Sequence, residues 1–165
     1  MAIISIGNVH VNDGDQIRLI ANAYDDQPGM PVVWSEAGNI WTDQLPDPNP
    51  STGVFTVFGL PNNRGSGGPG QFFCLLAPGD ANHMAKFWSV EYDNGYYGIY
   101  ACKDAPFGPS CWFSATTTQK GRPYISLFAL EHKQQVGTAG LGIHQGLRAN
   151  RDGLQTDCWF WISKI

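Results

Sequence analysis

The sequence predicts an all-β fold: three repeated units of four short strands, twelve strands that close into a barrel with a cap. Three observations predict it. Segments such as "QIRLIA", "GVFTVFG", "QFFCLLA", "FWSVEY", "YGIYAC" and "YISLFAL" are short and rich in β-branched and aromatic residues. Turn signals separate them, among them "DDQPG", "PDPNPSTG", "PGDAN", "YDNG" and "NRDG". No window of a dozen residues keeps a helical apolar stripe free of Gly and Pro. An internal repeat then sets the order of the elements.

Each unit opens on the same ladder: Ile17, Leu19 and Ala21; Phe73, Leu75 and Ala77; Ile125, Leu127 and Ala129. Alternate residues of a strand share a face, so each ladder turns three apolar groups to one side. Each unit ends on an aromatic strand, aligned as Val54-Phe55-Thr56, Cys111-Trp112-Phe113 and Cys158-Trp159-Phe160. Two further strands fit between: 32–35 and 39–42 in unit one, 86–92 and 96–102 in unit two, 140–145 and 147–150 in unit three. Asp93, Asn94 and Gly95 supply a tight turn in the second hairpin. The units run over about residues 14–60, 70–118 and 121–165 within one domain of 1–165. Strand count and unit length resemble the β-trefoil, in which six strands form a barrel and three hairpins cap one end. A β-sandwich of the jelly-roll kind is the alternative. A strand over residues 3–11 is left over.

The repeated Cys-Trp-Phe invites a redox or metal reading. Valine fills the place in unit one, which a metal ligand set would not tolerate and a packing position would. The triplets therefore read as core. Cys74, Cys102, Cys111 and Cys158 form no CxxC pair, and a local Cys102–Cys111 bridge is the one disulfide the spacing allows.

Only 15% of residues are charged and the net charge is −4 without a basic run, which argues against a nucleic-acid partner. The N-terminal stretch has no signal-peptide pattern and no segment is long enough to span a bilayer, so the expectation is a cytoplasmic protein, or one exported by a leaderless route, with no membrane insertion. There is no G-x-S-x-G elbow, no HxH or HExxH spacing, and no complete calcium loop. His10, His83, His132 and His144 are scattered. Neither a cofactor, a metal nor a catalytic activity is expected.

Sugar recognition needs a ring to stack on a pyranose and Asp, Asn, Gln or His to pair with hydroxyls. Each such bond contributes only about 1 kcal/mol net. The loops near the predicted hairpins hold these groups. Unit two has Asp80, Asn82, His83, Trp88, Tyr92, Asp93, Asn94 and Tyr97; unit one has Asp25, Trp34, Asn39 and Trp41. Unit three has His132, Gln134 and Gln135, but no aromatic near them.

On these residues the chain resembles β-trefoil lectins, including the signal-less lectins of mushrooms and the ricin-B-like branch. The Gln-x-Trp hallmark of that branch is missing: its positions read Gly53-Val54-Phe55, Ser110-Cys111-Trp112 and Asp157-Cys158-Trp159. The resemblance implies non-catalytic binding of glycans or glycoproteins, a defensive role, and a homodimer as one form of assembly. The same fold carries protease inhibitors, and the Pro-rich segment 44–55 fits a loop of that kind. A cytolytic, toxin-like protein is the third class.

Overall fold

The computed structural model describes residues 3–6, 9–21, 29–35, 38–43, 50–59, 72–93, 95–106, 108–117, 124–139, 145–151 and 159–165. Six strands close the barrel. β3 (Gln16–Ala21), β7 (Phe73–Ala77) and β11 (Tyr124–Ala129) open the three units, and β6 (Phe55–Gly59), β10 (Phe113–Thr117) and β14 (Phe160–Lys164) end them. Each opening strand pairs antiparallel with the ending strand of its own unit and with that of the unit before. β14 returns to β3 over the full run from Phe160 opposite Ala21 to Lys164 opposite Ile17, so no barrel edge stays open. This is the β-trefoil arrangement, and it replaces the sandwich alternative.

The ladder repeat is buried throughout: Ile17, Leu19, Ala21, Phe73, Leu75, Ala77, Ile125, Leu127 and Ala129 all belong to one core. Ile17 stands opposite Phe55, Phe73 opposite Phe113 and Ile125 opposite Phe160. These pairings fix the equivalence of the three ends, and it differs by one residue from the alignment read from sequence. Gly53-Val54-Phe55 matches Cys111-Trp112-Phe113. The reason is a 3-10 turn before the strand, at Pro50–Gly53 in unit one and Pro109–Cys111 in unit two. Gly53 and Cys111 end those turns, so Cys111 is buried without lying in a strand. The equivalent phenylalanines, Phe55, Phe113 and Phe160, are all fully buried. Small residues oppose them: Ala21 faces Phe160 and Ala129 faces Phe113. Large and small groups thus alternate across the barrel, as close packing of an interior requires.

The cap consists of three hairpins: β4 (Met30–Trp34) with β5 (Ile40–Thr42), β8 (Lys86–Asp93) with β9 (Tyr96–Lys103), and β12 (Gln134–Ala139) with β13 (Gly146–Arg151). The second is as expected, with Gly95 in the left-handed region (φ 88°) at its tip. The third is a correction. Its first strand lies at Gln134–Ala139, ahead of the 140–145 read from sequence, of which 140–144 fall outside the described residues. The polar pair Gln134-Gln135 and Gly137 mask a strand whose inward residues are Val136 and Thr138. A turn over residues 130–133, with Lys133 at φ 51°, redirects the chain into it.

The hairpins close on one another with threefold regularity. Trp41 stands opposite Gly146, Arg148 opposite Gly98, and Tyr100 opposite Asn39. A large residue meets a small or short one at each contact. Gly98 is held to that size: a Cβ there would lie 2.7 Å from Tyr100 Cε2.

The leftover N-terminal segment is a hairpin, β1 (Ile3–Ile6) with β2 (Val9–Asn12), not one strand. It packs against β6, β10 and β14, and its Ile6 and Val11 join the core. The bend after β2 fastens it: Gly59 N–H donates to Asp13 Oδ1 (2.6 Å), and Lys164 pairs with Asp15 at 3.0 Å. Both partners end barrel strands, so the hairpin plugs the mouth opposite the cap. Among the described residues no helix is long and apolar enough to cross a membrane.

Candidate functional site

The loop between β7 and β8 is built around one carboxylate. Asp80 Oδ1 accepts from the Asn82 backbone N–H (2.7 Å) and lies 2.9 Å from His83 Nδ1. The Asp80 N–H in turn donates to the His83 carbonyl (2.8 Å). His83 first, then the Asn82 N–H, holds the Asp80 carboxyl below its ordinary value, so it is ionised at neutral pH. Gly79 lets the loop close: it is left-handed (φ 69°), and a Cβ would sit 2.5 Å from the His83 carbonyl oxygen.

Unit one supplies the opposite wall. The Trp34 ring from the end of β4 meets the His83 ring in a T-shaped contact, centroids 6.2 Å apart. Between them lies a pocket of about 330 Å³, lined by Trp34, Gly38, Asn82, His83, Met84 and Lys86. Lys86 is paired with Asp104. Trp34 is only 6% exposed, so it orients His83 more than it offers a stacking face. The pocket is lined by an imidazole, an amide-bearing residue and an ammonium-bearing one, with the Asp80 carboxylate holding the imidazole from outside the lining, a set suited to hydroxyl-rich ligands.

The other sequence candidates divide. Tyr92 and Tyr97 stand exposed at the tip of the second hairpin, rings 5.4 Å apart. His132 lies against Tyr97 at 4.0 Å, so the aromatic missing from unit three comes from unit two. Asn39 and Trp41 belong to the hairpin contacts of the cap, and Asp93 accepts from Tyr100 Oη (3.1 Å). Asp25 and Asn94 lie outside the described residues, as do 44–49 of the Pro-rich segment. Trp88 is a correction. It is fully buried, with Phe55 and Phe113 in T-shaped contact at 5.0 and 6.2 Å, and cannot reach a ligand. Its strand position faces inward, and turn-proximity in sequence did not reveal that. Sequence reasoning missed Lys86, Met84 and Gly38; the first two lie in the same run as Asn82 and His83, "ANHMAK", which is the available signal.

No described thiol is primed as a nucleophile. Burial pushes Cys74 up to about 12, and burial with Glu91 pushes Cys102 up to about 11. Burial likewise raises Cys111. Cys74, Cys102 and Cys111 are free thiols, so the local bridge allowed by the spacing is not formed. Among the described residues no three His, Cys, Asp or Glu side chains gather as a metal site.

Neither a protein-family model nor a curated protein sequence matches the chain. Solved structures do. The SDF2-like protein from Arabidopsis thaliana is similar at TM-score 0.67, with 11% identity over 94% of this chain and 95% of that one. The designed threefold symmetric protein ThreeFoil gives TM-score 0.66, 11% identity, and 91% and 99% coverage. The BEL β-trefoil gives 0.66, 11%, and 94% and 96%. At such identity the likeness shows the fold alone.

Proposed function

We propose that the protein is a non-catalytic glycan-binding lectin whose principal site is the pocket between units one and two. One observation supports this above the rest: Asn82 and His83 of unit two, both held by Asp80, converge with Trp34 of unit one on a single pocket of about 330 Å³. Asn82, His83 and Lys86 pair with ring and hydroxyl oxygens, and Asp80 keeps the loop that carries them in place. Each exchange with water leaves only about 1 kcal/mol. A single site is therefore weak, and avidity has to come from several sites or copies. Tyr92, Tyr97 and His132 form an exposed aromatic ledge that can serve as a secondary contact for a longer glycan. Glycoproteins are the proposed partners, in a defensive role.

A broad glycan array, followed by hemagglutination with competing free sugar, tests the reading. The expected result is a restricted set of bound glycans and agglutination relieved by the matching sugar. No binding across the array, together with inhibition of a papain- or trypsin-like protease, would overturn it in favour of an inhibitor acting through residues 44–55.

A further inference from the structure

The cap carries a second cavity, distinct from the pocket between the units. It is a well of about 210 Å³ on the approximate threefold axis. Its floor is Ile40, Ile99 and Leu147, which occupy equivalent positions in the three hairpins. Its walls include Trp41, Tyr100 and Arg148, again equivalent, one from each returning strand. Two of the three walls are aromatic, and the third is a cation. Arg148 lies over the Tyr96 ring, 3.7 Å from ring centroid to guanidinium carbon. That stacking fixes the plane of the guanidinium and leaves its N–H fork for another partner. No carboxylate among the described residues lies within ion-pair distance of it. The acid hydrogen-bonded to this wall, Asp93, takes its bond from Tyr100 and does not line the well.

We infer that this axial well binds a small carboxylate-bearing sugar, with Arg148 gripping the carboxylate. The chemistry follows from the lining. A half-buried guanidinium with a fixed plane matches a carboxylate in two parallel hydrogen bonds. Trp41 and Tyr100 line the well and supply aromatic surface for the C–H side of a pyranose. The aliphatic floor gives hydroxyls no partner, so the ligand must enter with its polar edge toward the rim. The volume lies below that of clefts for drug-sized ligands, which limits the occupant to one terminal residue of a chain. The well shares no lining residue with the proposed glycan pocket and does not depend on it.

The test is a two-dimensional amide NMR titration of the wild-type protein. The probes are methyl β-D-glucuronide, N-acetylneuraminic acid, neutral methyl β-D-glucoside, and benzoate. At least one of the two acidic sugars is expected to shift the amides of Asn39, Gly98 and Gly146, with the neutral glucoside leaving them in place. Arg148→Gln is expected to weaken that binding about tenfold or more, the effect of losing a charged hydrogen-bond partner. If Arg148→Gln does not fold, the wild-type comparison of charged and neutral sugars still decides. No response to either acidic sugar, an equal response to the neutral one, or a response to benzoate alone overturns the inference. Shifts confined to Gly38 and Asn82 overturn it too, while supporting the pocket between the units. Loss of all shifts there, with the axial shifts kept, would leave this inference standing and the other reading fallen.

Discussion

The barrel and the cap follow the same threefold rule, but they use it differently. In the barrel, equivalent places hold equivalent side chains: Leu19, Leu75 and Leu127, or Phe55, Phe113 and Phe160, all buried. In the cap, the backbone register repeats while the side chains diverge. Trp41, Tyr100 and Arg148 stand at one set of positions, and Trp34, Val90 and Thr138 at another. Repetition marks what a closed barrel requires. Departure from repetition marks where the closed barrel makes no demand on the side chain. The fates of two tryptophans make the same point: Trp88 is sealed between Phe55 and Phe113, whereas Trp34 edges a pocket shared with the next unit.

The largest effects should come from breaking the repeated layer. Phe113→Ala and Trp88→Ala each remove a fully buried ring and are expected to cost about 3–5 kcal/mol in denaturant unfolding. If Trp88→Ala instead kept its stability and lost ligand binding, the line between core and site would be drawn wrongly. A smaller effect is expected where the cap closes. Gly98→Val forces the Tyr100 ring off its bonds to Asp93 and Tyr96, at about 1–3 kcal/mol by thermal unfolding. The smallest concerns the plug at the barrel mouth. The Asn12 N–H first, then Lys164, holds the Asp15 carboxyl below its ordinary 3.8. A depressed value in the folded state means that the stabilisation is complete above the ordinary value. It is lost as pH falls through the lowered one. The melting temperature should therefore hold down to about pH 5 and fall in stronger acid. Asp15→Asn should flatten part of that fall; an unchanged acid profile in the variant would remove Asp15 from the account.

Much of the barrel was legible because its constraints are local and repeated. The ladders, the second hairpin and the aromatic ends all follow from alternation and turn residues. Three features were not. The one-residue offset of Cys111-Trp112-Phe113 depends on a 3-10 turn, which has no period to read over three residues. Gln134–Ala139 presents polar residues and a glycine where a strand was sought, because only Val136 and Thr138 of its alternation face the core. The N-terminal hairpin lies outside the repeat and has no counterpart to reveal it. At the site, Asp80, Asn82 and His83 are neighbours in sequence and so legible as a group; the contact of His83 with Trp34 is a long-range one between units, which no local pattern encodes. Tyr97 with His132 was hidden in the same way, since each unit viewed alone lacked its partner.

The proposed glycan binding at the pocket between units one and two should be separable from the scaffold. It is tested most directly by calorimetric titration of an array-selected glycan into wild type and Asp80→Ala, with unfolding curves on the same samples. The account predicts that Asp80→Ala, which releases His83 and Asn82 from the arrangement the pocket needs, loses about tenfold or more in affinity, as loss of a charged hydrogen-bond partner should, while its melting temperature stays near wild type because the loop is exposed. Wild-type affinity in Asp80→Ala, or a loss of binding that merely tracks unfolding, would contradict it.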